Sequence, residues 1–149
     1  MATGRLLACE RLAASRVHVD YVGLDGQTIP LDDDSVDSAL STWTLCSIPD
    51  PVAAVREIRR VLRPGGRLHF VEHGRSPDPR VFAWQRRLNP VQRRVACGCT
   101  LDSDIPAIIE RGGLSVDHVE TYYVKGESKT QGWTFEGSAS APSASPAAR

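Results

Sequence analysis

One stretch of the chain, residues 36–72, constrains the fold more than any other. An apolar run from Val36 to Leu45 is followed by a helical pattern that starts at Asp50, and then by a second apolar run from Arg67 to Glu72. Strand, crossover helix and strand at this spacing form a βαβ unit, whose two strands are parallel. Ligands of open parallel sheets bind beyond the carboxyl ends of the strands, so the functional residues are expected there.

The crossover helix has clear start and stop signals. Asp50 can cap its first turn, and Pro51 takes the first helical position, where the missing N–H of proline costs nothing. The apolar stripe that should face the sheet consists of Val55, Ile58, Val61 and Leu62. Pro64-Gly65-Gly66 is predicted to end this helix.

Further strands are predicted on both sides of this unit. One is expected over Val17–Leu24, which is rich in β-branched and aromatic residues. Leu114–Val124 and Trp133–Glu136 are close in sequence, so they predict an antiparallel hairpin on an otherwise parallel sheet. The chain is therefore interpreted as one domain, residues 1–136, with a disordered tail of Gly, Ser, Ala and Pro over residues 137–149.

Two more helices are predicted between these strands. Val81–Val95 has a helical pattern that Asn89-Pro90 should interrupt, and a shorter helix is expected after Ser103 or Asp104. The first segment is basic, and four of its arginines flank the proline: Arg86, Arg87, Arg93 and Arg94. A basic amphipathic helix can lie on a membrane surface, although a solvated helix face is the plainer interpretation.

Composition narrows the function classes. Eighteen basic and eighteen acidic residues cancel, which does not favour nucleic acid as a partner. No apolar run approaches the roughly 20 residues that a membrane span needs.

The four cysteines, Cys9, Cys46, Cys97 and Cys99, lack the paired C-x-x-C spacing of a zinc site. We therefore expect free thiols, no metal and a reducing, cytoplasmic location.

Several motifs together resemble the class I S-adenosylmethionine-dependent methyltransferases, in the small-molecule branch called methyltransferase type 11. These motifs are Asp25-Gly26, Ile29-Pro30-Leu31, Ser35-Val36-Asp37 and the sequence RVLRPGG at residues 60–66. The last is the most specific of them. The segment Leu88–Cys99 is also similar to proteins related to thiol methyltransferases. The resemblance covers roughly residues 5–136.

The resemblance implies an α/β fold with a Rossmann-like methyltransferase sheet, mostly parallel, in the order 3-2-1-4-5-7-6, ending in an antiparallel hairpin. A glycine-rich cofactor loop and the strand before it are not found ahead of residue 5. The chain is therefore expected to be truncated at its N-terminus and to lack the first βαβ half. Such a truncation exposes one edge of the strand Val36–Leu45, and an exposed edge favours a homodimer.

The resemblance also implies which residues bind S-adenosylmethionine. Asp25 would accept a hydrogen bond from the adenine amine, and Gly26 and Gln27 would present backbone N–H groups to the ring. Thr42 and Trp43 would line the methionine part. From the residues alone, Asp25-Gly26 is a turn. Packing in the core is an equal alternative for Trp43.

His73, at the end of the second strand of the unit, is the candidate acceptor-side residue or catalytic base, because an imidazole titrates near neutral pH. A structural histidine is the alternative. The predicted function is methyl transfer to a small-molecule acceptor, which depends on positioning more than on conspicuous catalytic groups. Two alternatives stay open: a non-catalytic fragment that serves as a binding module, and a coding sequence that starts upstream of Met1.

Overall fold

The computed structural model describes residues 18–20, 23 and 25–143. Within them the chain forms four strands and three helices. In chain order these are β1 (Val36–Thr42), α1 (Pro51–Val61), β2 (Leu62–His73), α2 (Pro79–Val95), α3 (Ile105–Arg111), β3 (Ser115–Tyr123) and β4 (Trp133–Ser140). The strand predicted over Val17–Leu24 falls largely on residues outside the described ranges.

The four described strands form one sheet in the order β1-β2-β4-β3. β1 and β2 are parallel, with α1 as their crossover, which confirms the predicted βαβ unit. β4 lies between β2 and β3 and is antiparallel to both, which confirms the C-terminal hairpin. This order reproduces the 4-5-7-6 part of the sheet that the resemblance implies.

α1 ends earlier than predicted. Asp50 caps it as expected, through a bond that its carboxylate accepts from the Ala53 N–H. However, the helix stops at Val61, and Leu62 is already extended and pairs with Val36. The register then shifts across residues 63–66, where Gly65 has a φ of +78°. The Pro-Gly-Gly segment therefore forms an irregularity inside β2 rather than the stop signal of the helix.

α2 runs through Pro90 without a break, so the predicted interruption is wrong. Proline removes one N–H donor, but two buried side chains in the turns just before it, Gln85 and Asn89, anchor the helix. Gln85 donates to the carbonyl of Gly74, and Asn89 accepts from the Leu101 N–H. Anchors of this kind offset the cost of one missing hydrogen bond.

The predicted disordered tail begins too early. β4 continues past Glu136 to Ser140, and Ala139 is fully buried in the sheet. The Ala141 N–H then donates to the Gly66 carbonyl. Small residues suit this strand, because a Cβ at Gly137 would lie 2.1 Å from the His118 carbonyl oxygen on β3. The small residues at positions 137–140, which had indicated disorder, therefore allow close packing of this strand.

The hydrophobic core lies between α1, α3 and one face of the sheet. Its members include Val55 on α1, Ile105 and Ile109 on α3, and Leu68 and Phe70 on β2. α1 and α3 approach so closely that a Cβ at Gly112 would lie 2.2 Å from a methyl group of Val55. The other face is more open: Leu40 on β1 is 72 % exposed.

An ion-pair network fixes the loop before β1 to α1. Arg60 donates to the carboxylates of Glu57 and Asp33 and to the carbonyl oxygens of Ile29 and Leu31. Glu57 also accepts from the Ile29 N–H. One guanidinium thereby satisfies two loop carbonyls, so the crossover helix determines the path of the chain that leads into β1.

Replacing Glu57 with glutamine is expected to lower the melting temperature near neutral pH but much less in acid. The Arg60 guanidinium and the Ile29 N–H lower the pKa of Glu57 to about 2. A carboxyl group whose pKa falls on folding stabilises the fold above its unfolded-state pKa, about 4.3, and that contribution is lost as the pH falls towards the folded-state value. Thermal unfolding followed by circular dichroism between about pH 6 and pH 2 measures this loss.

The control for this prediction is Glu110→Gln on α3, at an exposed position. Its melting temperature should differ from that of the unsubstituted chain by an amount that does not change with pH. If the loss of melting temperature in Glu57→Gln were also the same at every pH, the Arg60–Glu57 pair would not be the source of the stabilisation.

Candidate active site

The carboxyl ends of β1 and β2 lie side by side, because the two strands are parallel. The ladder continues one residue past β1, where the Trp43 N–H donates to the Val71 carbonyl. Trp43 then turns the chain with a φ of +50°, which bulky residues rarely adopt. Its indole is 45 % exposed and contacts the His73 ring, with 5.1 Å between ring centroids. Two of the predicted site residues are therefore in contact, and Trp43 is not a core residue.

A buried carboxylate holds the two strand ends together. Glu72 is fully buried and accepts a hydrogen bond of 2.7 Å from the Ser41 hydroxyl on β1. It also accepts from the Thr44 N–H at 3.0 Å, just beyond the turn at Trp43. Burial raises the pKa of Glu72, and these donors oppose that shift. Sequence analysis placed Glu72 at the end of a strand without giving it this role.

The predicted adenine loop is a turn that docks on the segment after β1. The Asp25 carboxylate accepts from the Gln27 N–H at 2.9 Å, and the Gln27 side chain accepts from the Asp50 N–H at 2.9 Å. A Cβ at Gly26 would lie 2.8 Å from Ile48, so a residue without a side chain suits this contact. The turn interpretation is thus correct, and the turn is anchored at the start of α1. No hydrogen bond between described residues joins it to Trp43 or His73.

The structure also brings together three residues that sequence analysis did not group. The sulfur of Cys99 lies 3.5 Å from that of Cys46 and 3.3 Å from Nε2 of His73, and all three side chains are buried. The three positions are far apart in sequence, so no local spacing could have signalled them. The prediction of free thiols is confirmed for Cys46, Cys97 and Cys99, whereas Cys9 lies outside the described residues.

Burial keeps two members of this cluster, Cys46 and His73, uncharged. Desolvation raises the pKa of Cys46 to about 12 and lowers the pKa of His73, so both groups are neutral near pH 7. Within the part of the chain that the structure describes, Nδ1 of His73 is buried without a hydrogen-bond partner. An unpaired buried polar atom is costly, and in native structures it often marks a functional group.

The surface of α2 bears on the predicted membrane contact. Four large apolar side chains share an exposed stripe at helical spacing: Trp84, Leu88, Val91 and Val95. The guanidinium of Arg87 lies over the Trp84 ring, 5.6 Å from its centroid. In the described residues, every helix is too short or too polar to cross a bilayer.

A cavity of about 240 Å³ lies at the other end of β2, between the strand start and the network of Arg60. It is lined by Asp33, Leu62 and Pro64, among others. Because β2 begins there and ends at His73, this cavity is remote from the strand ends described above. It has no part in the candidate site.

Comparison with known proteins finds similarity to methyltransferases. Residues 3–70 match the methyltransferase domain of the Methyltransf_11 type. The chain is 36 % identical over 91 residues to thiol S-methyltransferase TMT1B of Rattus norvegicus, covering 60 % of this chain and 37 % of the relative. It is 35 % identical over 78 residues to demethylmenaquinone methyltransferase of Clavibacter sepedonicus, covering 52 % of this chain and 32 % of that protein. The chain is related to the class I S-adenosylmethionine-dependent methyltransferases. The matched part spans about a third of the length of these relatives, 37 % of one and 32 % of the other.

Solved structures share the fold. A methyltransferase from Bacillus halodurans superposes with a TM-score of 0.71 at 15 % identity, covering 93 % of this chain and 78 % of that one. An S-adenosylmethionine-dependent methyltransferase from Methanosarcina mazei gives a TM-score of 0.64 at 17 % identity, covering 95 % and 79 %. At these identities the likeness supports the Rossmann-like methyltransferase fold alone.

The predicted cofactor residues fit S-adenosylmethionine in their chemistry. Asp25 is exposed, and its carboxylate can accept a hydrogen bond from an amine. The half-exposed indole of Trp43 offers an aromatic face, which attracts a cationic group such as a sulfonium. Trp43 follows the carboxyl end of β1, and the turn that carries Asp25 docks on the segment after that strand. Parallel α/β folds bind their ligands beyond such strand ends.

Removing the Glu72 carboxylate is expected to destabilise the fold substantially. Glu72→Ala leaves the buried Ser41 hydroxyl without its acceptor, which costs about 1–3 kcal/mol, and the part-buried Thr44 N–H without its acceptor, which costs less. Glu72→Gln keeps one acceptor oxygen and should lose less. Urea unfolding measures both, with Glu110→Ala as the exposed control. An equal, small loss for all three variants would show that the Glu72 bonds do not stabilise the fold.

Proposed function

We propose that this chain transfers a methyl group from S-adenosylmethionine to a small-molecule acceptor at the carboxyl ends of β1 and β2. The observation that carries the proposal is the contact between Trp43 and His73 at these adjoining strand ends. The strand ends belong to a fold that matches methyltransferases in both sequence and structure.

The cofactor side of the proposed site is the docked turn at Asp25, Gly26 and Gln27, together with the end of β1 at Thr42 and Trp43. When bound, S-adenosylmethionine supplies an electrophilic methyl group on a sulfonium. Asp25 would bind the adenine amine, and the turn is already held in place by its bond to Asp50. An anchored turn lowers the cost of ordering the site when the cofactor binds.

The acceptor side of the proposed site includes His73. Its ring is positioned by Trp43 on one side and by Cys99 on another. Holding the acceptor in line with the methyl group contributes much of the rate enhancement in such displacements. The relatives named as thiol S-methyltransferases favour a small thiol as the acceptor. The relative named as a demethylmenaquinone methyltransferase makes a quinone the second class of acceptor to test.

Cofactor binding is the first test of this proposal. Calorimetric titration with S-adenosylmethionine should give micromolar affinity, and Asp25→Ala should weaken it about tenfold or more, since a hydrogen bond to a charged group contributes about 1.5–3 kcal/mol. The matched control is Asp32→Ala, an exposed aspartate of the loop that follows. Its affinity should be unchanged. No heat at millimolar cofactor would leave the non-catalytic binding module as the better hypothesis.

Methyl transfer is the second test, with small thiols and a demethylated quinone as acceptors. Trp43→Ala is expected to lower kcat/KM by about tenfold or more, because it removes the ring that positions His73 on the acceptor side. Misplacing the acceptor by about 1 Å can cost a hundredfold. The control is Trp84→Ala, which removes an exposed indole on α2. Equal losses in the two variants would contradict a specific role for Trp43.

The remaining expectations concern partners and location. In the described residues β1 pairs only with β2, so its other edge supports the proposed homodimer. Light scattering coupled to gel filtration tests for it. The cytoplasmic location and the contact of α2 with a membrane surface stay predictions.

A further inference from the structure

The buried cluster of Cys46, His73 and Cys99 has a chemistry that methyl transfer does not require. We propose that these three side chains bind a zinc ion. The inference goes beyond the proposed function, since a methyltransferase site needs no metal to position its acceptor. Thiolate and imidazole are the ligands that zinc prefers in proteins.

Two of the three separations between ligand atoms are close to those around a tetrahedral ion. With Zn–S near 2.3 Å and Zn–N near 2.0 Å, neighbouring ligand atoms lie roughly 3.4–3.8 Å apart. The separations here are 3.5 Å between the two sulfurs and 3.3 Å between the Cys99 sulfur and Nε2 of His73. All three ligand atoms lie within 4.8 Å of one another. Small side-chain adjustments would therefore admit the ion.

Charge balance favours a divalent ion in this buried position. Binding would release one proton from each thiol to solvent, and two thiolates with a neutral imidazole then neutralise the charge of Zn²⁺. Neutral donors lie beside both sulfurs: the Ser47 hydroxyl is 3.5 Å from Cys46, and the Gln92 amide is 3.8 Å from Cys99. Outer donors of this kind stabilise metal-bound thiolates.

The backbone around the cluster holds its ligands in place. The Thr100 N–H and hydroxyl both donate to the Cys46 carbonyl, which joins the segments that carry the two cysteines. His73 is the last residue of β2 and packs against Trp43. A rigid site loses little entropy when it binds a ligand.

In the described residues the cluster offers three ligands, which leaves the fourth position of a tetrahedral ion to water or to a soft small molecule. Three protein ligands with an open position are typical of catalytic rather than structural zinc sites. His73 would bind through Nε2, the nitrogen nearest the sulfurs, and its ring would keep the contact with Trp43.

Cobalt(II) is the probe that tests the site directly. Added to the metal-free full chain under reducing conditions, it should produce a thiolate-to-cobalt charge-transfer band and the visible bands of a tetrahedral site. Stoichiometric zinc should abolish both. Zinc should also release about two protons per chain in weakly buffered solution, since two thiols ionise.

Variants assign the ligands. Cys46→Ser and Cys99→Ser should each lose or strongly weaken the charge-transfer band, and His73→Ala should shift the visible bands. The matched control is Cys97→Ser, which changes an exposed cysteine two positions from Cys99 and should retain the full spectrum. Circular dichroism checks that each variant folds. If the ligand variants do not fold, the cobalt spectrum and proton release of the unsubstituted chain still decide the matter.

Three outcomes would overturn the proposal: no charge-transfer band at millimolar cobalt, a band that survives in both cysteine variants, or a Cys46–Cys99 disulfide in place of metal binding. The readouts do not depend on methyl transfer. Failure of the metal site and failure of the proposed enzyme activity are therefore distinguishable.

Discussion

The candidate site depends on one buried carboxylate, that of Glu72. It lies where β2 ends and accepts bonds from two groups of the neighbouring strand and turn, the Ser41 hydroxyl and the Thr44 N–H. Glu72 is fully buried, and a buried carboxylate without partners would cost several kcal/mol of desolvation. The two bonds offset this cost, since each unsatisfied buried group costs about 1–3 kcal/mol. The same bonds fix the unusual backbone at Trp43, and hence the position of its indole against His73.

The crossover helix α1 supports this arrangement from the other side of the site. The N–H of its cap residue, Asp50, donates to the Gln27 side chain. Its Arg60 donates to carbonyl oxygens of the loop that precedes β1. One helix thereby positions both the turn at Asp25 and the strand that ends at Thr42. A site assembled from separate loops gains its geometry from such a shared, rigid element.

Sequence analysis predicted the parts of the fold that local chemistry determines. Asp50, Pro51 and the apolar stripe of α1 identify the crossover unit, and the closely spaced runs that became β3 and β4 identify the hairpin. It failed where tertiary contacts override local preference. Leu62 leaves the helix because it pairs with Val36, and Pro90 stays in α2 because Asn89 anchors the helix.

The candidate site was predictable to a similar extent. Trp43 and His73 were predicted to lie near the ligand because each is at the carboxyl end of a strand. The carboxyl ends of parallel strands meet at one edge of the sheet. The roles of Glu72, Cys46 and Cys99 were not predictable, because their contacts join segments that are remote in sequence. Spacing rules for metal sites detect ligands on one short loop and miss ligands that only the fold assembles.

The cluster of Cys46, His73 and Cys99 also constrains the order in which the chain folds. Its members follow β1, end β2 and precede α3, so each contact among them closes a long loop. Contacts of large sequence separation form late, after local helices and turns. The cluster can therefore assemble only once β1, β2 and the connection between α2 and α3 have docked. An ion that binds only the assembled cluster would stabilise the completed fold relative to partly folded chains. Such an ion would act after folding and would not initiate it.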